Sequence, residues 1–142
     1  MSRMDAITKT MNRTHRLIWK LSGNRLLQSP FGMPAVELHT TGRKTGQRRT
    51  VILTTPIFDE SRIVVIASKG GDDRNPDWYG NLVAQPDVEI TKDGVTAPYR
   101  ARTATPDEKA EMWPIVVKAY KGYAGYQRKT DRDIPIVICE RR

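Results

Sequence analysis

Between Thr40 and Thr50 the chain reads TTGRKTGQRRT, with Arg43, Lys44, Arg48 and Arg49 grouped around Gly42 and Gly46. Four cations within seven residues, on a backbone that glycine lets bend, suit the holding of an anion. Taken alone, the loop fits a solvated basic turn equally well. Further on, Ser68, Lys69, Gly70 and Gly71 offer a hydroxyl, a cation and backbone donors in one short glycine loop. Trp78 and Tyr79 follow, and Tyr120, Tyr123 and Tyr126 recur every third residue around Gly122 and Gly125. Such tyrosines line one side of a helical turn or, given the glycines, sit on a mobile flap. An anion clamp, a glycine loop with a hydroxyl and several aromatics together suit a flat aromatic ligand with a phosphorylated tail. No acid–base–nucleophile set emerges from spacing. Cys139, the single cysteine, reads as a small buried hydrophobe within IPIVIC. No cysteine cluster joins His15 and His39, so no dedicated metal site is expected.

The composition bounds what can carry this chemistry. The 142 residues, 38% hydrophobic and 28% charged, suit one soluble globular domain. No run approaches the roughly 20 apolar residues of a membrane span, and no secretory apolar core opens the chain. One cysteine permits no internal disulfide, so a cytoplasmic location is expected. The net charge of +8 is local: residues 1–50 hold ten Lys/Arg against Asp5 and Glu37, and the remainder is balanced. A nucleic-acid binder needs a broad basic stripe, so this pattern points to local anion sites and away from nucleic acid.

The elements that must position these residues follow from periodicity. Residues 4–21 read as an amphipathic helix, with Met4, Ile7, Met11, Ile18 and Leu21 opposite Lys9, Arg13, Arg16 and Lys20. This 1–27 segment either packs on its own domain or lies weakly on the inner face of a membrane. Residues 28–142 form the main domain. Strands are predicted at Ala35–Thr41, Arg49–Phe58 and Arg62–Ser68, the last buried on both faces. Asn75 is placed to cap a helix that has Pro76 at its first position and runs to about Ala84. Strands Asp87–Thr91 and Val95–Thr103 flank the turn signal Asp93-Gly94. Thr105–Glu108 is a capping box opening a helix to about Tyr120, kinked at Pro114, and IPIVIC is a last strand. About six mostly consecutive strands with three helices predict an α+β, mainly β fold: a small barrel or strongly curved sheet with outer helices.

The segments TTGRKTGQRR, ASKGG, NPDWYGNL and TDRDIPIVIC occur in this order. Together they resemble the deazaflavin-dependent nitroreductase family, which uses coenzyme F420, over about Leu38 to Glu140. The resemblance implies a split β-barrel related to FMN-binding oxidoreductases. It also implies hydride transfer from the reduced cofactor to a small-molecule acceptor: a quinone, an enone or a nitro compound. By the same resemblance, Arg43, Lys44 and Arg49 hold the phosphate and polyglutamate tail. Ser68, Lys69 and Gly70 reach the deazaflavin end, and Trp78 and Asn81 support the cofactor site. Tyr120, Tyr123 and Tyr126 cover the substrate side. Ser68 and Tyr123 are the candidate proton donors or relays, with solvent as an alternative. The chain departs from such relatives at Arg48, often a proline there, at Thr54, a tyrosine, and at Lys129, a tryptophan, so the substrate wall differs. A monomer is expected. Two rivals stand beside this reading: an FMN-binding barrel protein, and a non-enzymatic anion- or membrane-binding module.

Overall fold

The computed structural model describes residues 33–142. The helix expected over residues 4–21 lies outside the described residues, as does nearly all that precedes the first strand. Strands β1 (Ala35–Thr41) and β2 (Arg48–Thr54) form an antiparallel hairpin whose tip is the basic loop. β3 (Ile57–Phe58) and β4 (Arg62–Ile66) form a second, and β5 (Asp87–Lys92) and β6 (Val95–Thr103) a third. Asp93 and Gly94 both take positive φ, 52° and 79°, as a two-residue hairpin turn with the right twist requires. β7 (Ile136–Arg141) lies between β6 and β4, giving the order β2-β1-β5-β6-β7-β4-β3 with every neighbour antiparallel.

This order contains the barrel. β2 and β3 are separated only by Thr55 and Pro56, yet they sit at opposite ends of the sheet. The sheet must therefore curl until its two edges nearly meet. The sequence predicts one strand over Arg49–Phe58; the structure breaks it at Thr55. Fully buried Thr55 donates its amide to the Pro34 carbonyl oxygen, and its hydroxyl to the carbonyl oxygens of Val64 (2.7 Å) and Ile57 (2.8 Å). Pro56 has no N–H to continue the ladder. Seven strands among the described residues thus replace the expected six or so.

Among the described residues three α-helices close the fold: α1 (Asp77–Ala84), α2 (Pro106–Ala119) and α3 (Gly122–Lys129). α2 opens with the expected capping box, since the Thr105 side chain accepts from the Glu108 amide and the Glu108 carboxylate accepts from the Thr105 amide. It continues through Pro114. At α1 the cap differs from expectation. Pro76 occupies the capping position with no side-chain bond, and Asn75 Oδ1 accepts instead from Arg132.

β4 and β7 explain why both read as unbroken apolar runs. Ile63, Val65, Val137 and Cys139 face the barrel interior with Val36, Leu38, Val88, Ile90 and Tyr99. Val64, Ile66, Ile136 and Ile138 face the other way, against Met112, Val116 and Tyr123 of α2 and α3. A strand covered on both faces loses the alternation of a half-exposed one. β6, covered on one side, keeps it: Ala97, Tyr99 and Ala101 are buried between exposed neighbours. Burial of each large aliphatic side chain contributes about 1.5–3 kcal/mol.

Candidate functional site

The β1–β2 tip is a tight backbone turn. The Gly42 amide donates to the Gln47 carbonyl oxygen and the Gly46 amide to that of Gly42, both at 2.8 Å. The two glycines serve different needs. Gly46 has φ +70°, whereas Gly42 is needed for space, because a Cβ there would lie 2.8 Å from Thr45 Oγ1. Lys44 and Arg49 are exposed on this tip. Arg48 is committed elsewhere: it pairs with Glu89, and its guanidinium holds the Glu89 carboxyl below the usual range.

Arg43 is exposed but fixed. Its amide and Nη1 both donate to Asn81 Oδ1, at 3.1 and 3.0 Å, and Nη1 also donates to the Asp77 carbonyl oxygen. Asn81 in turn donates from Nδ2 to Thr40 Oγ1. The guanidinium lies over Gly80, where a Cβ would stand 2.8 Å from Nη1. Arg43 and Asn81 therefore lock the basic loop to α1. Trp78 is buried in the same core cluster as Ala67.

The SKGG segment is a 3-10 turn, Lys69–Gly71. Lys69, Gly70 and Gly71 have φ of 45°, 64° and 86°. Left-handed backbone at a lysine costs about 1–2 kcal/mol, so the surroundings must impose it. The Lys69 ammonium is turned toward Asp72, 3.8 Å away, with its side chain 8% exposed. Asp72 is held below its ordinary value first by the Arg74 amide and then by Lys69.

The guanidinium of Arg132 gathers the turn. Nε donates to the Asp72 carbonyl oxygen (2.8 Å), Nη2 to that of Ser68 (2.9 Å), and Nη1 to Asn75 Oδ1 (2.9 Å) and the Ala67 carbonyl oxygen (3.3 Å). Burial pulls its pKa down, and Asp72 and Asp73 oppose that. Thr130 donates to Asp73 close by. Sequence reasoning missed Arg132, although TDRD lies in a singled-out segment. It also missed Gly80, for which the signal was present: a mid-helix glycine costs about 1 kcal/mol and marks a close approach.

Tyr123 and Tyr126 lie on α3, not on a mobile flap, and Tyr120 caps the end of α2 just before it. Tyr123 is buried, and its hydroxyl lies 3.1 Å from Thr54 Oγ1. Burial raises its pKa. The half-buried Tyr120 and Tyr126 share a hydroxyl–hydroxyl bond of 3.2 Å. Burial, then that bond, push Tyr126 up to about 12. The three rings pack with centroids 5.2–6.2 Å apart. Gly122 makes room for them, since a Cβ there would strike the Tyr120 ring at 2.3 Å.

Other candidates fall away from the site. His39 crosslinks β2, β1 and β5 through Thr50 and Thr91, both at 2.8 Å, and burial lowers its pKa. Burial pushes the Cys139 thiol up to about 12, against reactivity. Among the described residues no group of His, Cys, Asp and Glu is placed to hold a metal ion.

One short segment joins the two halves. Asn75 is bonded to Arg132 beneath the glycine turn, and the Asp77 carbonyl oxygen accepts from Arg43 of the basic loop. The cationic tip and the turn therefore stand at the same end of the barrel. The donor set fits a deazaflavin with an anionic tail: exposed cations on a tip whose residues 42–49 include no acid, then a glycine turn, then aromatics.

A curled antiparallel sheet with outer helices and this site at one end defines a split-barrel oxidoreductase. Residues 11–141 match the F420H(2)-dependent quinone reductase family, and the chain belongs to that family. Its cofactor is coenzyme F420. An F420H(2)-dependent quinone reductase of Mycobacterium tuberculosis strain H37Rv is 42% identical over 136 residues, 92% of this chain and 89% of that protein. The solved structure of an F420-H2 dependent reductase superposes with a TM-score of 0.68 at 40% identity, covering 75% of this chain and 94% of that one. A relative solved as a domain-swapped dimer, 33% identical, covers 98% of this chain and all of its own, with a TM-score of 0.70. The family description names a quinone, one of the three acceptors that the resemblance implied, and the cofactor is the one it implied.

Proposed function

We propose that the chain reduces quinones and related activated acceptors at the barrel end where the basic tip and the glycine turn meet. The tie of Asn75 to Arg132 and of Asp77 to Arg43 carries this reading, because it links a cationic tip and a glycine turn through one short segment. Coenzyme F420, bound in its reduced form, supplies a hydride. Lys44 and Arg49 hold its anionic tail by charge-assisted bonds, while Arg43 and Asn81 fix the loop that presents them. Ser68, Lys69 and Gly70 orient the ring end, with Trp78 supporting from the interior. Tyr120, Tyr123 and Tyr126 wall the acceptor and exclude water. A quinone that gains a hydride needs one proton to become a hydroquinone. Ser68 Oγ or the tyrosine hydroxyls deliver or relay it, with solvent as the final source.

The chain works as a monomer in this reading, although one relative is a dimer; light scattering decides between them. Peripheral membrane contact through residues 4–21 belongs to the same proposal, and flotation with anionic vesicles tests it. Among the described residues no helix is long and apolar enough to cross a membrane. The main test mixes the protein with reduced F420 and menadione or a cyclic enone and follows reoxidation by absorbance. Absence of turnover with every acceptor, with FMN or a nicotinamide supporting activity instead, would sink the proposal.

A further inference from the structure

We infer that Arg132 is the positioning residue of the glycine turn: its guanidinium sets the backbone of Ser68–Asp72 and couples that turn, through Asn75, to the helix that anchors the basic loop. This deepens the proposed function and rests on the reading that the turn meets the ring end of the cofactor. The acceptors come from three sides. Three are backbone carbonyl oxygens, of Ala67, Ser68 and Asp72, which bracket the left-handed residues. The fourth is Asn75 Oδ1, two residues before α1 begins. A planar fork reaching acceptors on both sides of a turn fixes its orientation as well as its position, which an ammonium cannot do.

The Arg132 backbone is itself held. The Arg132 carbonyl oxygen accepts from Gln127 Nε2 of α3 at 2.7 Å, and its amide donates to Thr130 Oγ1. Thr130 is tied to Asp73, on the far side of the turn. The tyrosine helix meets the turn directly, since a Cβ on Gly71 would lie 2.9 Å from the Tyr126 carbonyl oxygen. Arg132 therefore stands where the ring-end turn, the substrate-side helix and the segment leading to the tail clamp converge. A hydride must cross a short gap between two aligned faces, and a displacement of about 1 Å can cost about a hundredfold in rate.

The test compares the wild type with Arg132→Lys and Asn75→Ala. In the cofactor-free protein, the Gly71 and Asp72 amides donate to the Ser68 and Lys69 carbonyl oxygens. Their hydrogen-exchange protection should fall about tenfold or more in Arg132→Lys, while the β4–β7 ladder keeps its own. Asn75→Ala, which removes one acceptor, should move the same amides by less. With reduced F420 and menadione, kcat of Arg132→Lys should drop about tenfold to a hundredfold with KM for menadione nearly unchanged. In Arg132→Ala, added guanidinium ion should restore part of kcat. Unchanged protection at Gly71 and Asp72 overturns the inference, as does an unchanged kcat in Arg132→Lys. A wild type that does not oxidise the reduced deazaflavin overturns the functional reading alone, and exchange in the cofactor-free protein still decides whether Arg132 holds the turn.

Discussion

Gly71 and Tyr126 are in contact across two elements: the left-handed turn presses its glycine so closely on α3 that a methyl group there would sit 2.9 Å from the Tyr126 carbonyl oxygen. The glycine turn and the tyrosine helix thus share one surface. Gly71 also has φ +86°, a conformation that L side chains rarely adopt. Gly71→Ala should destabilise the protein by about 1–3 kcal/mol through strain and displaced packing. Thermal unfolding should show a drop of several degrees, with activity falling further than the loss of folded protein accounts for. A melting temperature equal to the wild type's would mean that the contact yields easily.

The cations of the basic tip should separate into two kinds. Changing Lys44 and Arg49 together to Ala should weaken F420 binding by about 1.5–3 kcal/mol for each bond lost, at an unchanged melting temperature. Arg43→Ala removes donors to Asn81 and Asp77, so it should loosen the tip as well as lower affinity. Fluorescence titration with oxidised F420 measures the first effect, and exchange of the Gly42 and Gly46 amides the second. Full affinity in the Lys44/Arg49 variant would remove these two from the clamp.

Tyr123→Phe removes only the hydroxyl that meets Thr54. The lost bond should lower stability by about 1 kcal/mol. Turnover should fall more than cofactor affinity does. Equal losses for all acceptors indicate proton delivery, and losses confined to some indicate positioning. Unchanged kinetics with every acceptor would take Tyr123 out of the site.

The pH dependence of Tyr123 and Tyr126 has a definite sign. Tyr126 is raised to about 12, and burial also raises Tyr123, so both stay protonated through neutral and mildly alkaline pH. Rates between about pH 6 and about pH 10 should carry no inflection from ionisation of Tyr123 or Tyr126. A fall near pH 9 that disappears in Tyr126→Phe would contradict this environment.

Glu108 supplies a stability test away from the site. Its bonds to Arg102 first, and to the Thr105 amide, lower its carboxyl from 4.5 to about 2. A depressed carboxyl adds stability that is complete above the unfolded value and lost as pH falls through the folded one. The melting-temperature gap between wild type and Glu108→Gln should therefore be widest near neutral pH and close between pH 4.5 and about 2. A gap independent of pH would show that the carboxylate's charge contributes nothing.

Much of this was legible because the signals are local. The Asp93-Gly94 hairpin, the Thr105–Glu108 capping box and the doubly covered runs of β4 and β7 depend on neighbours in sequence. The order of the four segments carried the family and the cofactor. What the chain could not disclose locally is which distant groups complete each element. Residues 49–58 look like one strand until Pro34 and Val64 draw Thr55 out of line. Asn75 looks like a helix cap until Arg132 takes its side chain. Arg43 looks like a free clamp until Gly80 and Asn81 receive it. The tyrosine segment, with its two glycines, becomes a helix because Tyr120 lies over Gly122 and Gln127 docks on residues 132–134. The sequence by itself determined most of the strands, the cationic tip, the glycine turn and the chemistry they imply. Only the tertiary structure decided that Arg132 lies beneath a turn 64 residues earlier in the chain, because β4 and β7 pair antiparallel with Ile66 opposite Ile136, which sets the residues after β4 beside those before β7.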